Sequence, residues 1–238
     1  MVCIYPNYCQ EGVLLISLHK NFFRLFNSKD VIKKGENNQK ITKKEYISYF
    51  GSVEEFKKLI FAAIIRAGYG TIKRIVVIGD GAHWIWNMCN EIMPDAVEIL
   101  DFYHLSENIY QYATFLYPED EVTRKRWAET TISISRHGRT EDFIKKVEEK
   151  KVTQTPIGIV NLYNYVMNNK DRINYKEYEE KGYYIGSGAI ESGNKTVIQQ
   201  RMKQAGMRWN ITGGQYIAAL RAKHESNMWN KIQEVINL

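Results

Sequence analysis

The chain has 238 residues, of which 44% are hydrophobic and 13% aromatic, with a formal charge of +6 and a pI near 9.0. No stretch reaches the roughly 18 uninterrupted apolar residues of a membrane span, and the three cysteines fit neither a disulfide framework nor a metal site. The composition therefore excludes a membrane-spanning or cystine-rich protein. It favours a cytoplasmic protein with one sizeable core, and its basic charge is compatible with nucleic acid.

The first hundred residues predict alternating helices and strands. Residues 1–22 show no clear period, and a polar hairpin-like loop and a short strand at 45–50 follow them. Ser52 and Glu55 form a capping box that begins a helix ending near Gly68. The runs "IVVIGDG" and "AVEILDF" then predict two buried strands separated by a helix. This alternation predicts an α/β fold with a partly parallel sheet.

The second half predicts mainly helices. Between residues 105 and 170 the segments "SENIYQYATFLY", "EVTRKRWAETTISISR", "TEDFIKKVEEK" and "GIVNLYNYVMNNK" predict four helices and no strand. A strand-like "GYYIG" follows, then a helix from Gly188 to about Gln204 and a last helix from Gly214 to about Trp229. We interpret the central helices as an all-helical insertion.

Four polar residues lie where chemistry is expected. Asp80 follows the first buried strand, and sites in open α/β sheets lie at the carboxyl ends of strands; the alternative role is a helix N-cap. Glu191 lies in the first turn of a helix after a Gly-Ser-Gly turn, where it could instead complement the helix dipole. Asp101 and His104 follow the second strand, three residues apart, as in a capping or His–carboxylate pair.

The C-terminal segment is basic. Residues 194–238 contain two glutamates and seven cations, with Trp209 and Trp229 interleaved. The cations are Lys195, Arg201, Lys203, Arg208, Arg221, Lys223 and Lys231. These residue types are used for phosphate contacts and base stacking. The alternative is a solvated basic helix face packed by its tryptophans.

Three motifs in this order resemble the ribonuclease-H-like catalytic domain of DDE-type bacterial insertion-sequence transposases. They are "VVIGDGAHWIW", "ILDFYHLSENIYQYA" and "YIGSGAIESGNKTVIQQRMKQAGMRWN", and "KKEYISYFGSVEEF" adds to the resemblance. The chain looks most like the Mutator-like group and its relatives described as an uncharacterised transposase-like family. The resemblance covers roughly residues 24–230.

The resemblance implies a fold and a division of the chain. The expected fold is a ribonuclease-H-like mixed sheet lacking its first strand or strands, with an all-helical insertion. The expected regions are an atypical N-terminal segment at 1–22, a catalytic core at 23–104 and 182–205, the helical insertion at 105–181, and a C-terminal basic helical segment at 206–238.

The resemblance also implies a site. Asp80 and Glu191 would be the second and third catalytic acids and would hold Mg²⁺ or Mn²⁺, with Asp101 and His104 in support. DNA would contact Lys195, Arg201, Lys203, Arg208 and Trp209. The expected partner is transposon-end DNA, near the nucleoid, with no membrane; a homo-oligomer is left open.

One departure limits the expected activity. The family's first Asp belongs on the first strand, and residues 1–22 contain no Asp. The expectation is an N-terminally truncated fragment of a DDE transposase that is inactive alone, of low stability, with a sheet edge exposed beside Ile75–Ile78. Two alternatives remain: a non-catalytic DNA-binding module using the basic C-terminal helices, and a phosphatase-like or nucleotide-binding enzyme built around "IVVIGDG".

Overall fold

The strands form one five-stranded sheet and one small hairpin. The computed structural model describes residues 13–19, 22–33, 39–186 and 193–236. Its strands are β1 Val13–His19, β2 Phe22–Asn27, β3 Val31–Lys33, β4 Gln39–Ile41, β5 Glu45–Ser48, β6 Arg74–Gly79 and β7 Val97–Leu100. The large sheet has the order β5-β2-β1-β6-β7, and β3 pairs with β4. The predicted mixed α/β character and the hairpin-like loop are confirmed.

The directions of the strands divide the sheet into two parts. β1 pairs antiparallel with β2, and β2 pairs antiparallel with β5. β1 pairs in parallel with β6, with Leu14 opposite Ile75 and Leu18 opposite Gly79. The antiparallel strands β5, β2 and β1 therefore form one part of the sheet. The chain then passes through a helix into β6, which lies parallel to β1.

The expectation of a missing first strand is wrong. Residues 13–19 form β1 at the centre of the sheet, where β1 and β7 flank β6, so no open edge lies beside Ile75–Ile78. The reason is visible in the run "VLLISL", a continuous apolar stretch typical of a strand buried on both faces. Leu14 and Ile16 are indeed almost fully buried.

The helices follow the predicted pattern with changed boundaries. They are α1 Val53–Arg66, α2 His83–Ile92, α3 Phe102–Leu116, α4 Glu121–His137, α5 Thr140–Glu148, α6 Leu162–Asn168, α7 Tyr175–Glu180, α8 at 195–202, α9 Ile211–Glu225 and α10 Trp229–Ile236. The side chain of Ser52 accepts the Glu55 N–H at 3.3 Å, so the predicted cap of α1 is confirmed.

Two sequence-based predictions of secondary structure are wrong. "GYYIG" forms no strand, although the Ile185 carbonyl accepts the Phe102 N–H at 2.9 Å. The last helix is two helices, because Asn227 adopts a left-handed conformation (φ 56°) between α9 and α10. The Asn227 and Met228 N–H groups donate to the carbonyls of His224 and Lys223, which is a Schellman C-cap.

The described residues fall into two compact units. One comprises residues 13–97 and 193–236, and the other comprises residues 98–186. The second unit contains the helices α3 to α7. Its core includes buried Phe102, Tyr112, Phe143 and Tyr175. In the first unit, α8 and α9 pack on β2 and β5 through Phe22, Tyr46, Val197 and Ala218.

Candidate acidic site and nucleic-acid interface

Asp80 lies directly after β6, at the carboxyl end of the parallel pair. Its Oδ1 accepts the Ala82 N–H at 3.0 Å, while Ala82 rather than Asp80 is the N-cap residue of α2. Gly81 has φ 91°, a conformation that favours glycine, and this bend separates the carboxylate from the helix. Asp80 is half-buried. Its carboxylate thus orders the turn and still reaches solvent.

The glycine before Asp80 is required by packing. A Cβ on Gly79 would lie 2.9 Å from Cη2 of Trp86 and 3.1 Å from Cγ2 of Ile85. Both side chains belong to α2 and are buried. The Gly-Asp-Gly sequence therefore lets α2 approach β6 closely and aims the turn that carries Asp80.

Asp101 has the capping role that its position before a helix predicts. The side chain is only 3% exposed, and its Oδ1 accepts the Tyr103 N–H at 2.9 Å as the N-cap of α3. His104 Nδ1 lies 3.9 Å from Asp101 Oδ2, an ion-pair distance rather than a hydrogen bond. The predicted capping role is confirmed, and the predicted supporting role stays a prediction.

Buried aromatic side chains lie close to Asp101. Tyr175 is fully buried, and burial raises the pKa of its hydroxyl well above the ordinary value, with Tyr165 and Asp101 adding to the shift. Phe102 packs edge-on against Tyr175, with ring centroids 5.1 Å apart. A Cβ on Gly186 would lie 3.5 Å from Asp101 Oδ1 and 2.5 Å from the Tyr103 ring. The "YIG" part of the third motif therefore packs against the second motif.

Glu191, the predicted third acid, lies outside the described residues. Two residues later the structure resumes with Gly193, which is buried. A Cβ there would lie 2.6 Å from Cε1 of Tyr46. This close approach fixes where the chain after Glu191 meets β5. Among the described residues, which leave Glu191 out, no group of three or more His, Cys, Asp or Glu could hold a metal ion.

The predicted DNA-contacting cations are exposed. Lys195, Arg201, Lys203 and Arg208 all lie on the surface, and every residue from 203 to 212 is exposed. We call residues 203–210 the basic loop; it joins α8 to α9. Met207 and Trp209 are also partly exposed there, 42% and 43%, so the loop presents both cations and apolar surface to solvent.

Trp209 also anchors the loop. Its indole Nε1–H donates to the Met202 carbonyl at 3.1 Å, and a Cβ on Gly214 would contact its Cβ. One edge of the ring is thus fixed, while part of the ring remains accessible. Trp209 is therefore both anchored in the fold and partly accessible.

Two of the seven C-terminal cations have partners in the fold instead. Arg221 donates through Nε to the Val197 carbonyl at 2.7 Å and through its NH2 group to the Thr196 carbonyl. Residues 195–199 form a π-helical turn, whose wider geometry displaces carbonyls from ordinary α-helical partners. Lys223 lies 3.4 Å from the buried carboxylate of Glu45. Fewer of the seven C-terminal cations are therefore available to a ligand than their number in the sequence suggests.

No protein-family model and no curated protein sequence matches the chain. Within the described residues, no helix has the length and apolar character needed to cross a bilayer.

Proposed function

We propose that the chain has a ribonuclease-H-like core related to DDE transposases, and that it binds DNA without cleaving it. The observation that carries this proposal is the mixed sheet: an antiparallel meander of β1, β2 and β5 continues into the parallel pair of β1 and β6, and Asp80 follows β6. The motifs lead us to expect a mixed sheet with an acid at the end of a buried strand, and the strand order adds β1, which the resemblance did not lead us to expect.

The connections support the same proposal. α1 links β5 to β6, α2 links β6 to β7, and the helices α3 to α7 come before the segment that carries Glu191. A helical insertion ahead of the third acid is what the resemblance implies. In open sheets of this class, sites form beyond the carboxyl ends of parallel strands, which is where Asp80 lies.

The proposed loss of cleavage rests on β1. A first strand is present, and its sequence "VLLISLH" contains no carboxylate. Ser17 is its buried polar residue, and the Ser17 hydroxyl finds no hydrogen-bond partner among the described residues. Ser17 lies opposite Ile78, two residues before Asp80. The acid is thus missing from a strand that is otherwise in place.

The remaining donors fit a hard divalent cation. Carboxylate oxygens suit Mg²⁺ or Mn²⁺, and Asp80 and Glu191 are the residues that would hold it. When bound, such an ion activates water or a 3′-hydroxyl for attack on a phosphodiester. Two carboxylates supply less negative charge than three, so we expect weak binding of the ion. Asp80 keeps its carboxylate oriented through the Ala82 N–H in either case.

DNA binding is proposed for the basic loop and α8. The exposed cations Lys195, Arg201, Lys203 and Arg208 can contact phosphates, and the accessible part of Trp209 can stack on a base. Lys195, Arg201 and Lys203 follow Glu191 in the sequence, and such cations would hold a polyanion close to an ion bound by carboxylates.

The proposal predicts that Lys203→Ala/Arg208→Ala weakens DNA binding. Fluorescence anisotropy of a labelled duplex should show weaker binding and a salt dependence of log K that is shallower by about 1 for each lost phosphate contact. The matched control is Lys145→Ala/Lys176→Ala, which removes two exposed cations from α5 and α7. The control should bind like wild type.

The same samples test the absence of cleavage. With Mg²⁺ or Mn²⁺ and a transposon-end or generic duplex, we expect no nicking above that of a chain carrying Asp80→Ala. Robust nicking that disappears with Glu191→Ala would overturn the proposed loss of activity. Equal DNA binding by both double variants would overturn the assigned surface.

A further inference from the structure

A second basic surface lies at the other end of the sheet. A groove of about 770 Å³ contains Leu14 at the start of β1 and is surrounded by five cations, Lys29, Lys43, Lys44, Arg66 and Lys231. We call it the basic groove. Leu14 pairs with Ile75, and Asp80 lies five residues further along that strand direction, roughly 17 Å away at about 3.3 Å per residue. The groove is therefore separate from the acidic site.

The floor of the basic groove contains a carboxylate that is already neutralised. Glu45 has a side chain only 7% exposed, and its Oε1 lies 2.5 Å from Arg66 and 3.4 Å from Lys223. Both cations remain well exposed on their outer parts. Asp30 is the other acid in the lining. Two acids against five lining cations leave the groove positive.

The walls of the groove are held in position by hydrogen bonds. Ser226 Oγ accepts the Tyr46 N–H at 2.8 Å and donates to the Ala222 carbonyl at 2.6 Å, which fixes the turn between α9 and α10 on β5. Lys44 lies over the Tyr46 ring, with Nζ 5.3 Å from the centroid. The Lys44 ammonium group is thus oriented before a ligand binds, which reduces the entropic cost of binding.

The volume of the groove, about 770 Å³, is larger than a single phosphate group would fill. A neighbouring cavity of about 300 Å³ shares Thr42, Lys44 and Asn227 with it, so the two form one continuous depression. The aromatic residue in the lining, Phe26, is buried and offers no stacking surface. Its cations come from four separate parts of the chain, which suits an extended ligand with several negative charges.

We propose that the basic groove binds the sugar-phosphate backbone of nucleic acid, independently of base sequence. The cations supply phosphate contacts, which carry no sequence information, and the lining offers no accessible aromatic ring on which a base could stack. This goes beyond the proposed function, because the cations involved are different from those of the basic loop and lie at the opposite end of the central strands. One chain would then contact DNA at two places.

The test is a pair of substitutions in exposed residues of the groove. Lys29→Ala/Lys43→Ala removes two exposed cations, one from the short 3₁₀ turn Ser28–Asp30, whose cap is the Asn27 side chain, and one from the bend after β4, so circular dichroism should be unchanged. With the labelled duplex used above, we expect the slope of log K against log salt to become shallower by about 2, one unit for each lysine. Lys145→Ala/Lys176→Ala again serves as the control.

Four results separate the outcomes. An equal loss in a random-sequence duplex supports backbone binding, whereas an unchanged slope overturns the proposal. Binding of inorganic tripolyphosphate that depends on Lys29 and Lys43, with DNA binding unchanged, would make the groove a site for small polyanions and overturn it too. If Lys29→Ala/Lys43→Ala weakens binding and Lys203→Ala/Arg208→Ala does not, the groove is supported and the basic loop is not.

Discussion

Asp80 and Asp101 follow successive strands, yet their side chains differ in how accessible they are to solvent and to a ligand. Asp101 is nearly inaccessible and is hydrogen-bonded to the first turn of α3, beside buried aromatic rings. Asp80 is half-buried and accepts one backbone N–H from a turn. Because a metal ion needs an accessible carboxylate, these surroundings favour the proposed ligand role for Asp80 and leave Asp101 as a helix cap.

The capping role predicts how substitutions at Asp101 affect stability. Asp101→Ala should lower the free energy of unfolding by roughly 0.5–2 kcal/mol, because the Tyr103 N–H loses its acceptor. Asp101→Asn keeps a side-chain acceptor and should lie close to wild type. Urea denaturation followed by circular dichroism measures both. If the amide variant were as unstable as the alanine variant, the charge rather than the cap would be what stabilises this position.

At the scale of elements, the joint between α8 and β5 depends on close approach. Gly193 faces the ring of Tyr46, which is buried in the core shared by β2, α8 and α9. Arg221 then ties α9 to the π-helical turn of α8 through two carbonyls. These contacts hold the helix that begins just after Glu191 and that carries Lys195 and Arg201.

The close approach predicts that Gly193→Ala is destabilising. The new methyl group would lie 2.6 Å from Tyr46 Cε1, and such overpacking typically costs about 1–3 kcal/mol. Since the clash involves this ring, Tyr46→Leu/Gly193→Ala should lose less than the two single variants combined. Thermal or chemical denaturation of the four proteins gives the coupling energy. Purely additive losses would mean that Tyr46 does not limit the approach.

The elements that could be predicted from the sequence are those with strong local signals. α1 has a cap and a regular apolar face, and β6 has a β-branched run that ends in Gly-Asp-Gly, so both were predicted within a few residues. β1 has an equally apolar run but was missed, because the resemblance called for an Asp on that strand. Its partner β6 is about sixty residues away, and no local pattern reveals such pairing.

The candidate site was predictable only in part. The sequence shows which residues are acidic or basic, but burial decides which of them can act. Asp101 is enclosed by residues from α3, α7 and the segment at 185–186, and Arg221 and Lys223 are directed to partners far along the chain. The basic groove was missed for the same reason, since its lysines come from separate segments that only the fold brings together.

At the scale of the whole molecule, one unit carries all the proposed contacts with DNA. The basic loop, the basic groove and Asp80 belong to the unit formed by residues 13–97 and 193–236. Asp80 lies at the carboxyl end of the parallel strands, and the groove lies at their amino end. The basic loop and the basic groove therefore belong to the same unit, and two basic surfaces in one unit suit a polyanionic ligand.

In the proposed site, Asp80 and Glu191 hold one divalent ion between them. Electron paramagnetic resonance of Mn²⁺ can measure its binding to wild type, Asp80→Asn, Glu191→Gln and the double variant. For a shared ion, each single change should weaken binding, and the double variant should lose much less than the two losses combined. Mn²⁺ binding that ignores both changes, or losses that simply add as for two independent sites, would contradict the account.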